Sequence, residues 1–230
     1  MRTELSRTGA CAALALVLAV AIPTTAGAAT QIGQTFAPSD GCTADVTNLQ
    51  TTSSGGAYAA PTAGVITSWS YQADNIGTPN TIKFKVARAT GLNVYADVGQ
   101  SPLVTMVPNM LNTFLIRIPV RAGDVIGFYK SAGTGGCARS TPGNFVHYRT
   151  GDSTSVPSTF TPFATPAQID LSATLEPDCD NDGFGDQTQE PAPPVCGPTG
   201  QRAAALAKCK KKRSKKARKR CRRKANLLPV

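Results

Sequence analysis

Most of the chain, from residue 31 to residue 176, lacks a sustained helical period, and this constrains the fold more than any other feature. Apolar side chains instead alternate with polar ones, as where Ile82, Phe84 and Val86 alternate with lysines. A period of two is typical of a strand with one buried face. Clusters of Gly, Pro, Ser, Thr and Asn separate these short runs. The pattern predicts an all-β fold.

Several runs are candidate strands of this fold. Phe114–Ile118 and Val125–Tyr129 flank the turn Arg121–Asp124, and we predict that they form a hairpin, with Asp124 serving the turn geometry. The Ser-, Thr- and Pro-rich stretch 150–166 predicts a long surface loop. Short antiparallel strands with such turns favour a two-sheet, jelly-roll-like sandwich over residues 29–176. The other candidate strands are Ile32–Phe36, Val46–Thr51, Val65–Tyr71, Asn93–Val98, Phe145–Arg149 and Ile169–Leu175.

An acidic string follows the last candidate strand. Asp178, Asp180 and Asp182 stand at alternate positions, Gly183 comes next, and Asp186 lies three residues further on. Calcium takes six to eight oxygen ligands, and alternate residues of a tightly curled loop can direct carboxylates to one centre. The glycine permits the sharp turn that such a loop needs. The string predicts a calcium-binding loop over residues 177–190.

The flanks of this loop exclude a helix-flanked calcium sensor. The twelfth position of that motif calls for a bidentate glutamate, but Gln189 stands there and Glu190 lies one place beyond. A strand precedes the loop, and the proline-rich linker 191–200 follows it. We therefore expect a structural ion rather than a switch.

The string Asp-x-Asp-x-Asp-Gly-Phe-Gly-Asp resembles the thrombospondin type 3 calcium repeats of extracellular proteins. The resemblance covers residues 178–190 as a single copy and implies Ca²⁺ as the cofactor. We expect an affinity of about 10⁻⁴–10⁻³ M, as in extracellular calcium modules. The alternative is a solvated acidic turn that holds no metal. The ligands that the resemblance implies are the side chains of Asp178, Asp180, Asp182 and Asp186, the carbonyl of Phe184, and Gln189 or Glu190 to complete the shell.

The basic residues are concentrated at the C-terminus. Residues 201–230 hold 14 of the 24 Lys and Arg and none of the 14 Asp and Glu, so the excess of basic residues behind the net charge of +10 lies in this tail alone. We expect the tail to be disordered and to become helical on an anionic surface, where neutralised charges release counterions. The alternative is a solvated tail that serves solubility. The candidate polyanion-binding residues are Lys208, Lys210, Lys211, Lys212, Arg213, Lys215, Lys216, Arg218, Lys219, Arg220, Arg222, Arg223 and Lys224.

The N-terminus predicts export. Two arginines, a short apolar run and small residues around Ala26–Ala28 are typical of a secretory signal peptide over residues 1–28. We therefore expect a secreted, extracellular protein, cell-surface associated or free, with no transmembrane segment in the mature chain. Six cysteines remain after cleavage, and an oxidising compartment favours disulfides among them. Six cysteines allow 15 connectivities, of which we favour pairing by segment: Cys42–Cys137, Cys179–Cys196 and Cys209–Cys221.

Catalysis has little support in the sequence. The single histidine, His147, lies in an alternating run, and no serine elbow or metal-ligand spacing accompanies it. A carbohydrate-binding module is the competing interpretation, with Trp69 and Tyr71 as an exposed aromatic platform. A lone tryptophan in a β domain is more often part of the core, and we favour that assignment.

The order of segments is itself informative. Signal peptide, β domain, the string LEPDCDNDGFGDQTQ and a cysteine-bracketed basic tail resemble a group of secreted bacterial proteins. The resemblance implies this architecture and no activity. We expect a non-enzymatic calcium-binding protein of the cell envelope or matrix. Its expected partner is an anionic cell-wall or extracellular polymer, with a glycan or, without sequence selection, nucleic acid as alternatives.

Overall fold

The computed structural model describes residues 28–54, 56–190, 208–210 and 214–225. Residues 1–27 of the predicted signal peptide, the predicted linker 191–200 and half of residues 201–230 therefore lie outside the described residues. The described elements are β1 (Thr30–Gln34), β2 (Asp40–Gly41), β3 (Val46–Thr52), β4 (Gly64–Gln72), β5 (Thr81–Gly91), β6 (Val94–Gln100), β7 (Val104–Thr105), β8 (Leu111–Val120), β9 (Val125–Ala132), β10 (Gly136–Ser140), β11 (Phe145–Thr150), β12 (Ser158–Thr159), β13 (Thr161–Pro162), β14 (Ala167–Ile169), β15 (Leu171–Glu176) and the helix α1 (Lys215–Ala225).

The strands form three sheets, and all their paired strands run antiparallel. A four-stranded sheet has the order β1-β15-β4-β8, and a small sheet has the order β14-β10-β2. The large sheet has the order β12-β6-β5-β9-β3-β11-β13, with β7 also paired to β5. The prediction of a mainly β, antiparallel fold is confirmed.

The large sheet is almost closed into a barrel, a feature that the predicted two-sheet, jelly-roll-like sandwich did not include. Its two end strands, β12 and β13, are separated only by Phe160, so one short segment joins the two edges of the sheet. Phe160 is buried in a cluster with Leu49, Ala87 and Val125. The interpretation of 150–166 as a surface loop was therefore wrong for this segment, because its one large apolar side chain closes a second core.

The main core lies where the four-stranded sheet packs against the large sheet. Trp69 of β4 stacks on Phe84 of β5, with ring centroids 5.5 Å apart, and on Phe114 of β8 at 4.6 Å. The Tyr71 hydroxyl donates to the Gly136 carbonyl at 2.5 Å. Trp69 and Tyr71 are 1% and 0% exposed, so they are core residues and cannot form the glycan platform.

The predicted hairpin of β8 and β9 is wrong. β8 pairs with β4, whereas β9 pairs with β3 and β5, so the turn between them carries the chain from one sheet to another. The alternating pattern identifies both strands but does not specify their partners. Asp124 does serve the turn, since its Oδ2 accepts the Arg121 N–H at 2.8 Å, and it also binds Arg88 at 2.7 Å.

One lysine of β5 departs from the half-exposed strand that the alternation predicts. Lys85 is fully buried, and its ammonium lies 2.7 Å from Asp97, 2.6 Å from the Gln100 side chain and 2.5 Å from Asp152. A buried charge is tolerated when it is paired and hydrogen-bonded in this way. Lys83, on the same face of β5, bonds Asp152 as well.

Two of the predicted disulfides are present, Cys42–Cys137 and Cys209–Cys221, with Cα–Cα distances of 5.8 and 5.4 Å. Cys179 is also disulfide-bonded, and Cys196, its predicted partner, lies outside the described residues. The disulfides indicate an oxidising environment. Among the described residues, no helix combines the length and the apolar character that a bilayer crossing requires.

The Cys209–Cys221 bond requires the helical path to break between the two cysteines, because a straight helix would separate them by about 18 Å. Residues 208–210 are helical, and α1 begins anew at Lys215. Ser214 starts it as the N-cap, its hydroxyl accepting the Ala217 N–H at 3.1 Å. Of the two forms that we expected for the tail, flexible or helical, residues 215–225 adopt the helical one.

Candidate metal centre

The acidic loop is anchored by a buried carboxylate at the end of β15. Glu176 is 1% exposed and accepts hydrogen bonds from the Thr67 hydroxyl, the Thr188 hydroxyl and the backbone N–H groups of Gln187 and Thr188, at 2.6–3.0 Å. The loop is therefore held at both ends, because Glu176 precedes it and Thr188 lies near its end. A further bond from Asp186 N to the Pro177 carbonyl at 3.0 Å closes the turn.

The backbone of the loop curls as the motif requires. Asn181 and Gly183 both adopt positive φ, 62° and 87°, a region that Asn and Gly tolerate better than other residues. Asp178 accepts the Asp182 and Gly183 N–H groups at 3.1 Å, and Asp182 accepts that of Phe184 at 2.9 Å. These bonds fix the direction of the carboxylates before any ion arrives.

The curled loop brings the predicted acidic residues together in two overlapping groups. One oxygen from each of Asp178, Asp180 and Asp186 lies within 4.8 Å of the others, and the same holds for Asp180, Asp182 and Glu190. Asp180 belongs to both groups. Each ionised carboxylate offers about four lone-pair sites, so these groups have acceptor capacity left for a cation. The loop can thus hold a metal ion.

The structure separates the two candidates for the last ligand. Glu190 lies in the second group, and its Oε1 is buried with no hydrogen-bond partner among the described residues. Gln189 instead supports the loop, since its Nε2 donates to the Ile116 carbonyl at 2.7 Å and its Oε1 accepts the Gly185 N–H at 3.3 Å. The Phe184 ring lies under the Arg117 guanidinium at 4.1 Å, and the role of its carbonyl stays a prediction.

The protonation of the loop follows from its surroundings. Burial raises the pKa of Asp178. The pKa of Glu190 is raised by desolvation and by repulsion from Asp182, Asp180 and Asp186. For Glu176, burial acts in the same upward direction, but the hydrogen bonds from Thr188, Gln187 and Thr67 outweigh it and lower the pKa. Glu176 is therefore the firmly ionised anchor, whereas the candidate ligand carboxylates crowd one another.

The basic segment presents its charges to solvent. Arg218, Lys219, Arg220, Arg222 and Arg223 of α1 are exposed, and α1 carries no acidic residue in its first turn. Lys208, Lys210, Lys216 and Lys224 are exposed as well. Lys211, Lys212, Arg213 and the side chain of Lys215 lie outside what the structure describes.

His147 is bonded within the protein through both ring nitrogens. The Thr51 hydroxyl lies 2.7 Å from Nδ1, and the Asn93 side-chain oxygen lies 3.0 Å from Nε2. Burial lowers the pKa of His147. These contacts connect β3, β11 and the β5–β6 turn and support the structural role that the sequence favours.

Sequence reasoning missed Glu176 as the residue that positions the loop. The available signal was a glutamate that ends an apolar strand and directly precedes Pro177. Nothing local indicated that its partners would be Thr67 and Thr188, because Thr67 lies on a strand far away in sequence.

The comparisons with known proteins add nothing to the geometric evidence for this metal site. A scan against protein-family models, a search of curated proteins and a search of solved structures each found no match.

Proposed function

We propose that this protein is a secreted, non-enzymatic calcium-binding protein whose basic C-terminal segment attaches it to an anionic polymer of the cell envelope or matrix. The observation that carries the proposal is the convergence of five carboxylates, from residues 178 to 190, into two groups that share Asp180. Like charges held so close are stabilised by a multivalent cation.

Calcium suits this donor set better than other common metals. All the converging ligands are carboxylate oxygens, and hard oxygen donors favour Ca²⁺ or Mg²⁺ over zinc or copper. Magnesium keeps several waters and binds through one or two carboxylates, whereas calcium accepts many ligands in a flexible shell. We assign Asp178, Asp180, Asp182, Asp186 and Glu190 as candidate side-chain ligands and Phe184 as the carbonyl ligand.

The ion would act as a structural clasp. The loop begins where β15 ends and rests on β4 and β8 through Thr67 and the Ile116 carbonyl. Binding calcium there fixes the direction in which the chain leaves the β domain. It also neutralises an acidic cluster that would otherwise attract the basic tail.

Isothermal titration calorimetry tests the calcium site. Wild type should bind Ca²⁺ with a Kd of about 10⁻⁴–10⁻³ M, and Asp180→Ala should lose the signal because both groups need this residue. Asp180 is exposed, so its removal leaves the core intact. Asp40→Asn, an exposed acid on β2, is the matched control and should titrate like wild type. Identical traces for wild type and Asp180→Ala would refute the site.

Salt dependence tests the role of the basic segment. With duplex DNA as a generic polyanion, log affinity falls linearly with log salt, by about 0.9 per neutralised phosphate. Replacing Arg222, Arg223 and Lys224 by Gln should reduce the slope by about 3. Arg121→Gln, outside the tail, should leave it unchanged. An unaltered slope in the triple variant would favour a tail that serves solubility alone.

A further inference from the structure

A cavity of about 640 Å³ opens between the large sheet and the small three-stranded sheet. This volume falls within the usual range of about 300–1,000 Å³ for small-molecule sites. Its walls come from β2, β3, β10, β11 and β14, with the segment 163–166 at the rim. No residue of the acidic loop 177–190 is among those that line it.

The floor of the cavity is apolar and rigid. Val146 and Ile169, which are 3% and 1% exposed, belong to the main core, and Cys42 is held by its disulfide to Cys137. Such a floor is already formed in the absence of a ligand, which reduces the ordering cost of binding.

Two aromatic residues line the cavity. Phe163 and Tyr148 pack edge to face, with centroids 5.9 Å apart at 81°. Phe163 is 46% exposed although it is a large apolar side chain, and its backbone N–H donates to the Val146 carbonyl at 2.8 Å. The backbone of Phe163 is therefore held in place, while nearly half of the residue's surface remains accessible to a ligand.

A polar group in the wall lacks a partner. Asn48 lies on β3 directly opposite Tyr148 in the strand register and is 8% exposed. Its Nδ2 is buried and has no hydrogen-bond partner among the described residues. Asn48 is one of the residues that line the cavity. A buried amide without a partner is unfavourable, and its rotation about χ2 lets it meet an oxygen of a bound molecule.

The charge of the walls selects a neutral ligand. Asp40, which is exposed, is the one charged residue among the described residues that line the cavity, and threonine and serine hydroxyls supply most of the remaining polarity. A purely apolar ligand, such as a hydrocarbon chain, would desolvate these hydroxyls and Asn48 without forming hydrogen bonds to them. A sugar ring instead offers an apolar C–H face to Phe163 and Tyr148 and hydroxyl groups to the polar wall.

We infer that this cavity is a binding site for a neutral saccharide, with Phe163 as the stacking residue and Asn48 as a hydrogen-bonding residue. The inference does not rest on the calcium proposal, because the cavity and the acidic loop share no lining residue. It moves glycan recognition from the buried Trp69 and Tyr71 to a surface that a glycan can reach.

Ligand-observed NMR and calorimetry on the full mature chain test this inference. The probes are maltotriose, cellotriose, mannotriose and triacetylchitotriose, with decanoate as an apolar comparison. At least one trisaccharide should bind, and Phe163→Ala should weaken it by about tenfold or more. Phe145 is also an exposed phenylalanine, it lies on β11, and it does not line the cavity, so Phe145→Ala should bind like wild type.

A second variant separates binding from folding. Asn48→Leu replaces the unpaired amide by an apolar group of similar size and should therefore keep or raise the melting temperature while it weakens sugar binding. Binding should also persist in EDTA. The inference is overturned if no trisaccharide binds at about millimolar affinity, if decanoate alone binds, if Phe163→Ala binds like wild type, or if EDTA abolishes sugar binding.

Discussion

The acidic loop and the basic helix place charge in opposite ways. In the loop, carboxylates turn inward, and backbone N–H groups and Glu176 hold them within 4.8 Å of one another. In α1, the basic side chains of residues 216–224 point outward into solvent. Converging charge suits a single small ion, whereas spread charge suits an extended polymer. The two regions, although close in sequence, therefore differ in the kind of partner that their arrangement of charge favours.

The largest expected effect comes from removing the anchor of the loop. Glu176→Ala removes the shared acceptor of the buried Thr67 hydroxyl and of the donors of Gln187 and Thr188, and it should lower the free energy of unfolding by about 3 kcal/mol. Urea denaturation measures this loss of unfolding free energy. Arg223→Ala on the exposed helix should change the same quantity by less than about 0.5 kcal/mol. Similar losses in both variants would remove the contrast between an anchored loop and a solvated helix.

Calcium should stabilise the loop and not the helix. At about 100 times the Kd, a ligand that binds only the folded state adds about 2.7 kcal/mol to its stability. Thermal unfolding with calcium or EDTA measures the shift, and limited proteolysis between residues 177 and 190 should be faster in EDTA. Arg223→Ala should keep the calcium effect and Asp180→Ala should lose it. A calcium effect that survives Asp180→Ala would place the ion elsewhere.

The helix should depend on its cap and not on calcium. Ser214→Ala removes the acceptor for the Ala217 N–H and should cost about 1 kcal/mol of helix stability. Circular dichroism of the full chain should show reduced helicity, while the calcium titration is unchanged. Unchanged helicity would mean that the Cys209–Cys221 disulfide alone maintains α1.

The smallest effect concerns pH. The pKa of Glu176 is lower in the folded state than in the unfolded chain, so the unfolded state binds more protons between the two pKa values. Its stabilising contribution is therefore complete above the ordinary glutamate pKa of about 4.3 and is lost as the pH falls through the lower, folded value. Glu176→Gln should show a flatter acid limb of stability than wild type. An equally steep limb in that variant would assign the acid sensitivity to other groups.

Local patterns predicted the local features of this molecule. The alternation of apolar residues identified most strands, the aspartate spacing identified the loop, and pairing by segment identified Cys42–Cys137 and Cys209–Cys221. Ser214 could also have been found, as a serine that interrupts a run of helix-forming residues.

Features that depend on distant partners could not be predicted. The separation of β8 from β9 into different sheets, the burial of Lys85 and the closure of the large sheet by Phe160 all arise from contacts between residues far apart in sequence. The same holds for the cavity, because five strands from separate parts of the chain form its walls. An alternating pattern shows which face of a strand is apolar, but it does not show what covers that face.

A crystal structure of the mature protein grown with calcium tests the central claim most directly. We expect an ion bound by Asp180 at about 2.3–2.6 Å, with further oxygen ligands from Asp178 and Asp186 or from Asp182 and Glu190. Anomalous scattering would identify the ion as calcium. A well-ordered loop with no ion at saturating calcium would contradict the account.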